Sequence, residues 1–292
     1  MFKGSIVAIV TPFNNGKVDE AKLKELVEFQ IQNGTNGIVP CGTTGESPTL
    51  TNVEHERVIE ICIEAANKRV PVIAGTGSNS TQEAITLTKD AAKAGASASL
   101  QVSPYYNRPS QEGLYQHFKA IAESVDIPII LYNIAGRTGV NIEPETVARL
   151  AHDCKNIVAV KEASGSLDQA SVTKSLCPKN FILLAGDDSL TLPILAVGGT
   201  GIISVVANIV PKDVAALCAA FDKGDIKKAQ DIHYKLIPLI KAMFCETNPV
   251  PVKTSMGLLK RCAPDVRLPL CPLAPKNFDR VKKALQDYGL LK

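Results

Sequence analysis

The sequence predicts an α/β fold in which eight parallel strands close into a (β/α)8 TIM barrel, followed by a C-terminal helical appendage. Eight short apolar segments alternate with longer stretches whose apolar residues recur at helical spacing. This alternation is typical of βαβ units, and about 220 residues are enough to complete the eighth unit. An open, doubly wound sheet has the same alternation and is the alternative fold.

The predicted strands are short runs rich in β-branched residues, as expected of strands covered on both faces. They fall at residues 5–10, 37–40, 72–75, 99–103, 129–133, 157–161, 182–186 and 201–204. The first helix is predicted over residues 19–33. Two later helices are predicted to begin at capping boxes, one between Thr51 and Glu54 and one between Ser80 and Glu83.

The chain is expected to divide into a catalytic barrel over residues 1–224 and a helical domain over residues 225–292. Its composition, 45% hydrophobic and 21% charged, is that of an ordinary globular protein. The net charge of +3 is too small to indicate a nucleic-acid partner. No apolar run reaches the roughly 18 residues that a membrane helix needs, and the N-terminus lacks a signal-peptide layout.

The cysteines and histidines exclude other classes of site. The eight cysteines are scattered, and none forms a Cys-x-x-Cys pair, which predicts reduced thiols of a cytoplasmic protein. The four histidines lie far apart in the chain, and no HExxH motif occurs. We therefore expect no metal site.

One predicted strand ends in a lysine, and the functional prediction is built on it. Residues 157–160 are apolar and Lys161 follows them. Alternation along a strand places Ile157, Ala159 and Lys161 on one face, which carries the amine into an apolar setting. A desolvated amine can act as a nucleophile and form a Schiff base with a carbonyl substrate. The alternatives are a lysine that reaches water along its stem, or one that pairs with Glu162.

Polar residues follow most of the predicted strands, and in a barrel such residues meet at the C-terminal face. The stretch 42–45, Gly-Thr-Thr-Gly, can hold a small carboxylate, although it is also typical of a tight turn. Tyr132 lies near a strand end, where a phenol can either transfer protons for a Schiff base or simply be a core tyrosine. Arg137 lies in a polar loop and can bind a carboxylate bidentately or remain a solvated charge.

Five motifs together resemble the 4-hydroxy-tetrahydrodipicolinate (dihydrodipicolinate) synthase family of pyruvate-dependent class I aldolases. They are GTTGE at 42–46, SPYYNRPSQEGLYQHF at 103–118, ILYNIAGRTG at 130–139, VKEASG at 160–165 and LLAGDD at 183–188. The resemblance implies a barrel enzyme that condenses pyruvate with L-aspartate 4-semialdehyde in the diaminopimelate route to lysine. It also implies that no metal or organic cofactor is needed, because the lysine itself serves as the electron sink.

The resemblance assigns a role to each matching residue. Lys161 matches the Schiff-base lysine. The proton relay matches Tyr132, Thr43 and Tyr106, with Tyr106 reaching in from a neighbouring subunit. At least a dimer is therefore implied, and the family suggests a homotetramer built as a dimer of dimers. The substrate contacts match Thr44 for the pyruvate carboxylate, Arg137 for the carboxylate of the aldehyde, and Gly186 and Ile203 for backbone contacts to pyruvate.

Some members of the family are inhibited by L-lysine, which binds a cleft at the dimer interface. The matching residues here are Ser47, Pro48, His55, Asn79, Glu83 and Tyr105. Glu83 can pair with the α-ammonium group, and His55 can meet the ε-amine. Since Glu83 also belongs to a predicted capping box, a purely structural role is the alternative. The chain departs from many relatives at Ala135-Gly136, where a proline-containing pair is common, and from some inhibited relatives at Asn52, where they carry a histidine.

Three other functions are alternatives. A sister aldolase such as N-acetylneuraminate lyase shares the Schiff-base lysine, but Arg137 and the pair Thr43 and Thr44 favour the synthase. A non-catalytic barrel that senses a small molecule belongs to another class, and the combination of Lys161 with Tyr132 argues against it. A pyridoxal phosphate enzyme also uses a lysine imine, and the absorbance of its cofactor would distinguish it.

Overall fold

The structure, a computed structural model that describes residues 2–292, contains the predicted barrel. Eight parallel strands of this range form it: β1 (Gly4–Ala8), β2 (Gly37–Val39), β3 (Ile73–Gly75), β4 (Ala98–Val102), β5 (Ile129–Asn133), β6 (Ile157–Glu162), β7 (Ile182–Ala185) and β8 (Gly201–Ser204). Strand β1 pairs with both β2 and β8, and a bridge between Ile38 and Val72 joins β2 to β3. The sheet therefore closes on itself, and the open-sheet alternative is wrong.

Helices alternate with the strands and cover the outside of the barrel. They are α1 (Glu20–Gln32), α2 (Asn52–Ala66), α3 (Thr81–Ala94), α4 (Gln111–Glu123), α5 (Ala135–Thr138), α6 (Pro144–Asp153), α7 (Leu167–Leu176), α8 (Thr191–Ala196) and α9 (Pro211–Asp222). A short antiparallel hairpin, Phe13–Asn14 with Lys17–Val18, follows β1.

One predicted capping box is confirmed and the other is half formed. At α2, Thr51 and Glu54 exchange both hydrogen bonds. At α3, Ser80 accepts a hydrogen bond from the N–H of Glu83, but the carboxylate of Glu83 accepts instead from the hydroxyl of Ser78. The side chain of Glu83 is therefore linked to the helix start only indirectly, through Ser78, whose hydroxyl accepts a hydrogen bond from the N–H of Ser80.

The C-terminal region is helical, as predicted. It contains α10 (Ile226–Met243), α11 (Val250–Leu258) and α12 (Pro275–Asp287). Helix α10 packs directly on α9, and α12 packs against α10 and α11. That residues 225–292 form a domain separate from residues 1–224 stays a prediction.

The core has two layers. An inner cluster fills the barrel and includes Ile130, Tyr132 and Ala159, while an outer cluster lies between strands and helices. The prediction that Ile157 shares the inner face is wrong, because Ile157 belongs to the outer cluster. The register between β5 and β6 shifts by one residue at this point, and Val158 packs against the inner cluster instead. Beyond the shift, alternation resumes and Lys161 pairs in register with Tyr132.

Three further properties hold for the described residues. No helix within residues 2–292 is long and apolar enough to cross a membrane. In the same range, no group of three or more histidine, cysteine, aspartate or glutamate residues is arranged to hold a metal ion. All eight cysteines are free thiols, and only Cys271 is exposed.

Candidate active site

A small cavity of about 40 Å³ lies at the C-terminal ends of the strands. Its walls bring together six of the residues singled out in the sequence, Thr43, Thr44, Tyr132, Arg137, Lys161 and Gly186. Thr43, Tyr132 and Arg137 also line a neighbouring cavity of about 370 Å³. The predicted convergence of polar groups on one barrel mouth is thus present.

Lys161 is buried at the end of β6 without a counter-ion. Its side chain is 6% exposed, and its Nζ lies 3.9 Å from the centroid of the Tyr132 ring. The neighbouring carboxylate of Glu162 is occupied elsewhere, because it accepts hydrogen bonds from the N–H of Ser164 at 2.6 Å and from Gln169 at 3.0 Å. Lys161 forms no salt bridge with any residue from 2 to 292. Both structural alternatives, a solvated lysine and a Lys161–Glu162 pair, are therefore wrong.

Gly186 provides the space in front of this lysine. A Cβ atom placed at Gly186 would lie 3.1 Å from Cε of Lys161 and 2.6 Å from Cβ of Ala163. Any larger residue would push the lysine stem or the β6 backbone aside. Because Gly186 has no side chain, the chain after β7 can lie close to the stem of Lys161, and the space beside the lysine stays open as part of the cavity.

The GTTGE stretch contributes another part of the cavity wall, through Gly42, Thr43 and Thr44. Two short 3₁₀ turns, Thr43–Gly45 and Ser47–Thr49, flank Glu46, whose backbone is left-handed with φ of 55°. Its carboxylate accepts hydrogen bonds from Nζ of Lys253 at 2.7 Å and from the N–H of Arg267 at 3.0 Å. The loop is therefore held from the C-terminal region.

Asn248 joins two of the four predicted substrate-binding residues, Thr44 and Arg137. Its side-chain amide donates to Oγ1 of Thr44 at 2.9 Å, and its backbone carbonyl accepts from Nη2 of Arg137 at 3.3 Å. Neither Asn248 nor Lys253 was identified from the sequence. A lysine inside the apolar segment 250–258 is the one signal that could have indicated the buried Lys253.

Arg137 lies on the one-turn helix α5 at the rim of the cavity, with its side chain exposed. The N–H groups of Arg137 and Thr138 both donate to the carbonyl of Ile134, at 3.0 and 3.1 Å. The Thr138 hydroxyl donates to the same carbonyl. These bonds order the loop although Ala135-Gly136 replaces a proline-containing pair.

Tyr106 and Ile203 do not reach the cavity within one chain. Tyr106 is 91% exposed and has a left-handed backbone, with φ of 72°. Ile203 is buried in the inner cluster of the barrel, and Val205 lines the cavity instead. Their predicted roles, in a neighbour's relay and as a backbone contact to pyruvate, stay predictions.

The predicted lysine-site residues surround the larger cavity. Ser47, Pro48, His55, Glu83 and Tyr105 line it, together with Asn52. Asn79 does not line it but donates a hydrogen bond to the carbonyl of Tyr105 at 3.1 Å. The cavity also contains Thr43, Tyr132 and Arg137, so the two groups of residues share one space.

His55 has a defined hydrogen-bonding state in this cavity. Burial lowers the pKa of His55, while the Gly75 carbonyl and the charge of Glu83 oppose that shift. Nε2 lies 2.9 Å from the Gly75 carbonyl, which can only accept, so the proton of the neutral ring is on Nε2. Nδ1 is then an acceptor, and it has no hydrogen-bond partner within the part of the chain that the structure describes.

Residues 1–288 match the model of the dihydrodipicolinate synthetase family. A 4-hydroxy-tetrahydrodipicolinate synthase of Syntrophus aciditrophicus is 60% identical over 291 residues, covering 100% of both chains. The pyruvate-complexed, chloride-inhibited dihydrodipicolinate synthase of Acinetobacter baumannii is 46% identical with a TM-score of 0.97, covering 100% of both chains. The lysine-bound enzyme of Cyanidioschyzon merolae is 42% identical with a TM-score of 0.97, covering 99% of both chains.

Proposed function

The chain belongs to the dihydrodipicolinate synthetase family, and on this premise we propose that it condenses pyruvate with L-aspartate 4-semialdehyde. It is a Schiff-base-forming lyase of lysine and diaminopimelate biosynthesis. The observation that carries the proposed mechanism is the buried Lys161, which lacks a counter-ion, faces Tyr132 and borders a cavity. The free, mostly buried thiols support a reducing compartment, and we place the enzyme in the cytoplasm.

The first half of the reaction activates pyruvate. The amine of Lys161 attacks the ketone carbon, and loss of water from the carbinolamine gives an iminium ion. The iminium withdraws electrons, so the methyl group loses a proton and an enamine forms. Tyr132 and Thr43 both line the cavity, where a phenol and a hydroxyl can transfer these protons. The hydroxyl of Thr44 binds the pyruvate carboxylate.

The second half joins the two substrates. The enamine carbon attacks the aldehyde carbon, which forms the new carbon–carbon bond and regenerates the iminium ion, while the aldehyde oxygen takes up the proton that Tyr132 and Thr43 received when the enamine formed and becomes a hydroxyl group. The amino group of the former semialdehyde then attacks the iminium carbon, closes the ring and expels the Lys161 amine. Arg137 at the rim binds the carboxylate of the aldehyde, with its guanidinium held by the Asn248 carbonyl.

We also propose that the active site is completed by a neighbouring subunit. The support is Tyr106, a tyrosine that is almost fully exposed on a strained backbone next to the cavity residue Tyr105. A homotetramer built as a dimer of dimers accommodates this arrangement. Mixing inactive Tyr106→Phe and Lys161→Ala subunits should restore activity in hybrid dimers. No restoration after verified subunit exchange would contradict a shared site.

L-Lysine is proposed as an inhibitor that binds the larger cavity. The carboxylate of Glu83 can pair with the α-ammonium group, and Nδ1 of His55 can accept a hydrogen bond from the ε-ammonium group. Ser47, Pro48, Asn79 and Tyr105 complete the proposed site. Because this cavity shares walls with the reaction site but does not include Lys161, inhibition should be partial and non-competitive with pyruvate.

A turnover assay with pyruvate and L-aspartate 4-semialdehyde tests the proposed function. The wild-type protein should form the cyclic product, and Lys161→Ala should not. N-Acetylneuraminate serves as the control substrate for a sister aldolase. Turnover of N-acetylneuraminate without turnover of the semialdehyde would contradict the proposal.

A further inference from the structure

We propose that Asn248 is a positioning residue for pyruvate, because its side-chain amide fixes the direction in which the Thr44 hydroxyl donates its proton. Asn248 precedes α11 in the C-terminal region and is 5% exposed. It lines the small cavity together with Thr44 and Lys161. The inference rests on the proposed function, in which Thr44 binds the carboxylate of the pyruvate adduct.

The chemistry of the hydrogen bond carries the first step. A threonine hydroxyl has one proton to donate and two lone pairs, whereas the amide NH₂ of asparagine can only donate. Nδ2 of Asn248 lies 2.9 Å from Oγ1 of Thr44 and therefore occupies a lone pair of the hydroxyl. The Thr44 proton must point elsewhere. Because Thr44 lies in the cavity wall, its hydroxyl proton is available to an anionic group bound beside Lys161.

The second polar atom of the Asn248 amide, Oδ1, gives no reason in terms of folding alone for an asparagine at this position. Oδ1 of Asn248 is buried and has no hydrogen-bond partner among residues 2–292. A buried acceptor without a donor costs free energy, and an apolar side chain of the same shape avoids that cost. Asn248→Leu removes this unpaired acceptor together with the hydrogen bond to Thr44, and the two effects oppose each other. We therefore expect the variant to change thermal stability little while it weakens the binding of pyruvate.

The side chain and the backbone of Asn248 serve different residues. The carbonyl that accepts from Arg137 belongs to the backbone and is retained in any side-chain variant. The GTTGE loop is held separately, through the bond between Glu46 and Lys253. Replacing the side chain should thus affect pyruvate more than the aldehyde, which binds at Arg137.

A double-mutant cycle tests the inference. Borohydride traps the pyruvate adduct, and the pyruvate concentration for half-maximal trapping is measured in wild type, Asn248→Leu, Thr44→Val and the double variant. Thr44→Val should raise this concentration about 10-fold, the effect expected for a lost hydrogen bond to a charged group, and Asn248→Leu should raise it by up to that factor because the Thr44 hydroxyl is no longer oriented. In the Thr44→Val background the same substitution should have almost no further effect, since the hydroxyl that it positions is already absent.

The outcomes separate this inference from the proposed function. If Asn248→Leu has no effect, or the same effect in both backgrounds, Asn248 does not act through Thr44 and the inference is wrong. If wild type forms no adduct at all, the proposed function fails and the inference fails with it. Should Asn248→Leu not fold, Asn248→Ala takes its place in the cycle with the same expected non-additivity.

Two further readouts exclude a general structural effect. The KM for the aldehyde should change much less than the KM for pyruvate, whereas a general distortion of the cavity would raise both KM values. Asn156→Leu is the matched control, because Asn156 is a half-buried asparagine at the N-terminal end of β6 whose amide bonds the carbonyls of Ala122 and Val125. That variant should leave pyruvate trapping unchanged, and a comparable loss of trapping would contradict the inference.

Discussion

Residues 2–292 contain two buried lysines whose surroundings differ completely. Lys253 is 0% exposed, and its Nζ donates to Glu46 at 2.7 Å and to the carbonyl of Thr11 at 2.9 Å. Lys161 is 6% exposed, pairs with no carboxylate within residues 2–292 and borders a cavity. Burial alone does not make a lysine a nucleophile. The missing counter-ion and the adjoining cavity distinguish Lys161, the proposed nucleophile, from the salt-bridged Lys253.

The salt bridge between Lys253 and Glu46 holds the loop that lines the cavity beside Lys161. Burial lowers the pKa of Lys253, and the charge of Glu46 opposes this shift. The pair joins α11 to the loop that carries Thr43 and Thr44. In this way the C-terminal region, which contributes Asn248 as well, is part of the active-site framework.

The largest expected effect is that replacing Lys161 abolishes activity but not stability, whereas replacing Lys253 lowers stability. Lys161→Met should reduce turnover by about 10⁴-fold or more while the free energy of unfolding is retained. Lys253→Met leaves the Glu46 carboxylate buried without a cation and should lower the free energy of unfolding by about 3–5 kcal/mol. Turnover and urea denaturation of both variants check this. An active Lys161→Met enzyme would show that Lys161 is not the nucleophile.

The second expected effect concerns the pair itself. Adding Glu46→Gln to Lys253→Met removes the stranded charge, so the double variant should recover about 1–3 kcal/mol of unfolding free energy. The exposed pair of Lys227 and Asp231 on α10 is the control, and Lys227→Met should change stability by at most about 0.5 kcal/mol. If the double variant is less stable than Lys253→Met alone, the buried carboxylate of Glu46 does not need the charge of Lys253.

Replacing Arg137, a cation at the rim of the cavity, should affect substrate binding and not the stability of the fold. Arg137→Ala should raise the KM for L-aspartate 4-semialdehyde by an amount corresponding to about 1.5–3 kcal/mol, the value for a charged hydrogen bond. The pyruvate adduct should still form, and the melting temperature should not fall. Arg280→Ala, on α12, is the control. A change in the KM for pyruvate alone would show that Arg137 serves the other substrate.

The smallest expected effect is on inhibition by lysine. Glu83→Gln should raise the lysine concentration for half-maximal inhibition about 10-fold, because it removes the charge that faces the α-ammonium group. The exposed Glu56 on α2 provides the control, Glu56→Gln. Titrations at several pyruvate concentrations also test reciprocity, since pyruvate should alter lysine affinity by the same factor. Equal inhibition of both variants and wild type would reject the site.

The sequence predicted what local patterns encode. Strand positions, and the inward faces of Tyr132 and Lys161, follow from alternation within segments of a few residues, and the barrel fold places both strand ends at one face. The register shift at Ile157 breaks that alternation and has no local signature. Asn248 and Lys253 were missed because their partners, Thr44 and Glu46, lie 204 and 207 residues away in the chain. Tertiary contacts of this range become visible only when the C-terminal helices are placed on the barrel.

The unpaired buried lysine, and not the paired one, is proposed as the nucleophile, and every catalytic role above depends on this assignment. It is tested most directly by treating the wild-type protein with pyruvate and borohydride and mapping the modified residue by peptide mass spectrometry. The reduced pyruvate adduct should be found on Lys161, with Lys253 unmodified. An adduct on Lys253 or any other lysine, or no adduct in an active enzyme, would contradict the account.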